Sequence, residues 1–206
     1  MDSFSSVGCM SKLNKSNLGS RTILGLSGVA SSGKDTFFSL LSQKLPFERF
    51  ALADELKILL REDLIKKYNV DILNCTREEK DLVRNDLVLF AKQKRLESYG
   101  KFWTDIITKK ILESKSQYIC ITDIRHNYFS KDEVFWLKHV LKGRLIDVSC
   151  YNPNNGVKVQ PPNEEESFHY PKVREDADYY VIWPKVSDIK VLDLFVNQCI
   201  LDLHLK

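Results

Sequence analysis

Apolar residues along the chain alternate between two rhythms. Continuous apolar runs at residues 22–26 (TILGL), 118–122 (YICIT), 145–150 (LIDVSC) and 178–183 (DYYVIW) have the length of buried strands. A weaker run, 47–52, follows Pro46. Between these runs apolar residues recur every three or four positions, the spacing of a helix with one covered face. This predicts helices over residues 35–45, 53–68, 77–96, 102–114, 132–142 and 186–205. Leu56, Leu59, Leu60, Leu64 and Ile65 would face inward from the second, and Leu82, Leu87, Val88 and Phe90 from the third. Thr76 with Glu79 has the spacing of a capping box, and Gly100 and Gly143 punctuate helix ends. Residues 152–163 carry Pro and Asn-Gly signals and read as loop.

Strands alternating with helices imply an α/β fold, a three-layer α/β/α sandwich around a central, mostly parallel sheet. No repeat and no second domain boundary interrupts residues 21–206. In such a sheet ligands bind beyond the carboxyl ends of the strands. Residues 28–36, Asp54, Asp123 and the loop after residue 150 all fall there.

Residues 28–36 read GVASSGKDT, directly between the first strand and the first helix. This is the P-loop arrangement that holds a nucleoside triphosphate, ATP being the expected one. Gly28 and Gly33 let the backbone turn, so that amides from Ala30, Ser31, Ser32 and Thr36 can converge on phosphates. The helix N-terminus adds its partial positive charge, and Lys34 a full one. Where most P-loops have Ser or Thr after the lysine, this chain has Asp35. Its carboxylate either takes over Mg²⁺ binding or complements the helix dipole.

The remaining candidates surround a second phosphate. Asp123 ends an apolar strand, as a metal-binding acid would, or is a turn residue; Arg125, two residues on, can neutralise charge on a transferring group. Lys34, Asp35, Asp123 and Arg125 form the expected catalytic set, with Asp35 and Asp123 as the metal pair. Asp54, Lys57, Arg84, Arg95 and Trp103 form the expected acceptor set. Each has a plain alternative: Asp54 a helix cap, Lys57 and Arg95 solvated charges, Trp103 a core aromatic. The four histidines show no ligand or triad spacing. Residues 151–172, with Lys158, Lys172 and then Arg174, are the expected short lid.

Three segments together, residues 28–36 with GKDT, 50–57 (FALADELK) and 122–125 (TDIR), resemble the deoxynucleoside monophosphate kinases of bacteriophages. Arg84, Leu87, Arg95, Gly100 and Trp103 match that family's Arg-rich helix and tryptophan in order, and Glu133 matches an acid after its D-x-R. Animal-type phosphomevalonate kinase is similar in the same segments. The resemblance covers about residues 22–200 and implies transfer of a phosphoryl group from ATP, with Mg²⁺, to a (deoxy)nucleoside monophosphate. Departures at Glu55 and Ala91-Lys-Gln93, and the loose echo of a His-x-Ser-Glu segment in residues 164–169, leave other acceptors open: phosphomevalonate, or a hydroxymethylpyrimidine, free or in DNA.

Composition narrows little further. With 206 residues, 43% of them hydrophobic, the chain can bury a core of its own. A net charge of +3 suits a phosphorylated small molecule better than a nucleic-acid polymer. Five scattered cysteines without a CxxC pair read as reduced thiols and a cytoplasmic setting, the host's for a viral protein. No apolar stretch approaches the roughly 20 residues of a membrane span. Residues 1–20 read as a flexible tail. Monomer and homodimer are both compatible with a domain of this size.

Overall fold

The computed structural model describes residues 20–205, so the tail expected over residues 1–20 lies outside them except for Ser20. The chain runs β1 (Thr22–Ser27), α1 (Lys34–Lys44), β2 (Glu48–Phe50), α2 (Leu52–Tyr68), α3 (Arg77–Glu97), α4 (Lys101–Glu113), β3 (Tyr118–Ile121), a short α5 (Glu133–Phe135) passing into a π turn (Trp136–Val140), β4 (Arg144–Tyr151), α6 (Glu164–Glu175), β5 (Tyr179–Pro184) and α7 (Ile189–Asp202). The five strands form one sheet in the order β2-β3-β1-β4-β5, and every pairing is parallel. The α/β sandwich expected from the sequence is the fold observed.

Alternation along the strands builds two cores. Leu24, Leu26, Ile146 and Val148 face α1 and α7, against Phe37, Leu41, Val196 and Cys199. Ile23, Ile119, Ile121 and Leu145 face the other way, against Trp103, Ile107 and Ile111 of α4 and Trp136 and Leu137 of the π turn. β1 is buried on both faces, as the central strand of a parallel sheet must be. Cys120, Cys150 and Cys199 are buried free thiols.

α2 and α3 form a hairpin with a small core of its own, Leu60, Leu64, Val70, Ile72, Val83 and Leu87. The capping box is present: Thr76 Oγ1 accepts from the Glu79 amide at 3.2 Å, and the Glu79 carboxylate accepts from the Thr76 amide at 2.7 Å. The inward face of α3 is narrower than its apolar content suggests. Val83 and Leu87 are buried, but Leu82 is 59% and Val88 45% exposed. Leu59 and Ile65 of α2 are likewise exposed. Leu56, Phe90 and Ala91 turn instead toward α4 and the main core, so helical spacing over-counted the buried positions on the remaining faces.

The expected lid is only partly loop. Asn163 caps α6 by accepting from the Glu166 amide at 2.9 Å, and the helix continues past Pro171 to Glu175. Among the described residues, no helix is long and apolar enough to cross a membrane.

Candidate functional site

β1 ends at Ser27 and the chain turns at once. Gly28 has φ +141°, and a Cβ there would lie 2.1 Å from the Val148 carbonyl oxygen. Gly33 has φ +95°, and a Cβ would meet the Trp183 ring at 2.6 Å. Only glycine fits either place. The Trp183 indole N–H donates to the Ser32 carbonyl at 3.0 Å, tying the loop to the far edge of the sheet. The Cys150 thiol lies 3.6 Å from the Ser31 carbonyl oxygen, and Ser31 itself has positive φ.

Lys34 opens α1, and its ammonium donates to the carbonyls of Gly28 and Val29 at 2.7 and 2.9 Å. It closes a ring around the loop, where outer phosphates would lie. Burial, helped by the Arg125 charge, lowers its pKa to about 8; Glu166, Asp35 and Asp123 act against that shift. These neighbours come from three stretches of the chain, Asp35 beside Lys34, Asp123 with Arg125 after β3, and Glu166 on α6, so the four expected catalytic residues lie together at Lys34.

Asp123 follows β3, and its two carboxylate oxygens accept from the Leu52 and Ala53 amides at 2.9 and 2.8 Å. It therefore caps the start of α2, satisfying amides that a helix leaves open. Burial raises its pKa despite those bonds. Each oxygen accepts one backbone amide, an arrangement compatible with a water-mediated contact to Mg²⁺ as well as with a purely structural turn residue. Asp35 is exposed in the first turn of α1, one residue beyond Lys34, and fits a Mg²⁺ site. Among the described residues there is no cluster of three or more His, Cys, Asp or Glu side chains arranged to hold a metal without help from a ligand.

Arg125 is half exposed and lies 3.7 Å from Glu166 of α6. Its backbone is fixed from behind. The buried Glu133 carboxylate accepts from the Arg125 and His126 amides at 2.7 and 3.1 Å. Burial and the neighbouring Asp132 push Glu133 up to about 8.

The acceptor candidates divide. Asp54 is held by Arg49 at 2.6 Å and Lys57 at 2.8 Å; burial opposes its ionisation, but those two bonds outweigh it and leave its pKa below the usual range. Asp123 feels the Asp54 charge, so this trio borders the site. Arg95 is no surface charge. It is buried, paired with Asp132 and stacked 4.9 Å from the Phe129 ring centre. Asp132 also accepts from the Tyr128 and Phe129 amides, so Arg95 braces the loop that carries Arg125. Arg84 points elsewhere: its side chain is 64% exposed and paired with Asp81 on its own helix. Trp103 is core, edge-on to Phe90 and Phe102, with its indole N–H toward the Ala91 carbonyl. It does not present a face to a base.

Sequence reasoning missed Glu166 and the buried Asp147. Asp147 lies on β4 opposite Ser27, takes Arg174 as partner and accepts from the Tyr170 hydroxyl at 3.2 Å. A cavity of about 340 Å³, lined by Ser149, Lys158, Tyr170 and Arg174 among others, opens beside it. His126 and His169, assigned no role from spacing, meet edge to face with ring centres 4.7 Å apart. Burial keeps His126 neutral far below its ordinary range. The signal for α6 was present, an Asn163 cap before three acids, inside the stretch expected to be the lid.

No protein-family model matches the chain, and no curated protein matches it. Solved structures share its layout loosely. Dephospho-CoA kinase from Campylobacter jejuni is 15% identical with a TM-score of 0.45, over 88% of this chain and 96% of that one. Shikimate kinase from Acinetobacter baumannii, solved in complex with shikimate, is 16% identical with a TM-score of 0.47, over 90% and 96%. Shikimate kinase from Bacteroides thetaiotaomicron is 13% identical with a TM-score of 0.46, over 89% and 99%. The identities are low and the overlays loose, so what this chain does is argued from its own residues.

Proposed function

We propose that the protein is an ATP-dependent phosphotransferase that converts a (deoxy)nucleoside monophosphate to the diphosphate. The observation that carries this reading is the convergence at Lys34 of a glycine-built loop, Arg125, Asp35 and a carboxylate seated on a loop amide. Phosphoryl transfer needs cations around the moving group, a preorganised loop and little else. Lys34 and Arg125 would neutralise charge on the γ-phosphoryl group while an acceptor phosphate oxygen attacks it and ADP leaves. Asp35 would hold Mg²⁺, which would supply further positive charge to the donor phosphates.

The acceptor side favours a phosphate over a hydroxyl. A hydroxyl acceptor needs a base to take its proton. Asp54, clamped by Arg49 and Lys57, has its pKa lowered, and both oxygens of Asp123 accept hydrogen bonds from backbone amides. A phosphate arrives already ionised and needs neither. Lys57 and Arg49, both paired with Asp54, would be the cations that receive it. Arg84 has no part in this reading, and Arg95 and Trp103 act as supports.

A coupled ADP-release assay over a panel of nucleoside and deoxynucleoside monophosphates tests the proposal. Mg²⁺-dependent turnover is expected with at least one of them, falling on the order of 10²- to 10³-fold in Lys34→Ala, the usual loss for one buried charge-stabilising donor. Turnover with no monophosphate, or full activity without Lys34, overturns it.

A further inference from the structure

The loop's anion position already has an occupant. Glu166 Oε2 accepts from the Ala30 amide at 3.0 Å, and Oε1 lies 3.7 Å from the Arg125 guanidinium. The Glu166 charge also reaches Lys34. One carboxylate thus meets three of the groups assigned above to phosphate, and its side chain is 21% exposed.

The helix that delivers it has two unlike halves. The later half of α6 is anchored: Arg174 pairs with buried Asp147, while Asn127 donates to the Lys172 carbonyl. From the first turn, Glu166 alone among the described residues makes polar contacts to the rest of the molecule. Pro171 sits between the halves and has no amide hydrogen to give the carbonyl four residues back. Such a residue is where a helix bends.

We propose that Glu166 is a built-in phosphate surrogate, which a triphosphate must displace as the first turn of α6 swings away about Pro171. This rests on the reading of residues 28–36 as a triphosphate loop. The contact lowers the fraction of molecules open to nucleotide, and apparent affinity falls by that fraction. A charge-assisted hydrogen bond plus an ion pair makes the factor about tenfold.

Calorimetric titration of the full chain with a non-hydrolysable ATP analogue and Mg²⁺, and separately with inorganic tripolyphosphate, tests this. Glu166→Ala is expected to bind both about tenfold tighter than the wild type. Glu166→Gln should fall between, and Glu164→Gln, on the same turn but without these contacts, should match the wild type. Hydrogen exchange of residues 164–168 should rise in the wild type when the analogue binds. Equal or weaker binding by Glu166→Ala, or no change in exchange, overturns the surrogate role while leaving the triphosphate reading intact. No binding by any of these proteins overturns both.

Discussion

Lys34 carries the sharpest consequence at the scale of single residues. Burial beside Arg125 lowers it to about 8, so above that pH the free protein loses the charge. Phosphates arriving at the loop favour the ammonium and raise its pKa again. Triphosphate binding should therefore take up a proton near pH 8.5, and weaken by up to about tenfold per pH unit above that. Titrations in buffers of different ionisation enthalpy measure the proton directly; binding without uptake at pH 8.5 would contradict the assignment. Gly28, Gly33 and Lys34 were legible in sequence because each is demanded by local geometry. Glu166 was not, because its partner Ala30 lies 136 residues away and nothing in local spacing joins them.

Among elements, the join between β3 and α2 matters most. Asp123 accepts from two amides at the start of α2, so one side chain fixes the angle at which that helix leaves the sheet. Asp123→Ala leaves those amides unpaired, at a cost of about 2 kcal/mol. Urea unfolding should show the midpoint fall without a change in slope, and Asn should restore part of it. A shift below a few tenths of a kcal/mol would remove the capping role. Element types were largely readable from apolar period, yet burial was not. Leu82 and Val88 have helical spacing but remain exposed, because what covers α3 is decided by where α2 and α4 meet it. α6 lies within the expected lid, where the turn signals of residues 152–163 gave way to a helix capped by Asn163 and carried through Pro171.

For the molecule as a whole, buried acids behind the site make stability depend on pH. Glu133 rises from an ordinary 4.5 to about 8 through burial and Asp132, with Asp123 adding and Arg95 opposing. Its folded value lies above its unfolded one, so the folded state binds the extra proton between these values. The stability this group contributes is full below pH 4.5 and is lost as pH rises through 8. Glu133→Gln keeps an acceptor for the Arg125 and His126 amides without a charge to bury. Thermal midpoints followed from pH 6 to 9 should decline less in that variant than in the wild type; parallel curves would show that Glu133 does not titrate there. The layered architecture was visible in the alternation of runs, whereas this ring of Glu133, Asp132 and Arg95 needed the sheet to bring residues 95 and 132 together. Trp183 stands on β5, yet its indole N–H holds the Ser32 carbonyl and its ring lies against Gly33. Any rearrangement of the loop changes the polarity around that ring, so the protein carries an intrinsic fluorescent gauge, fixed to the sheet and reading the loop.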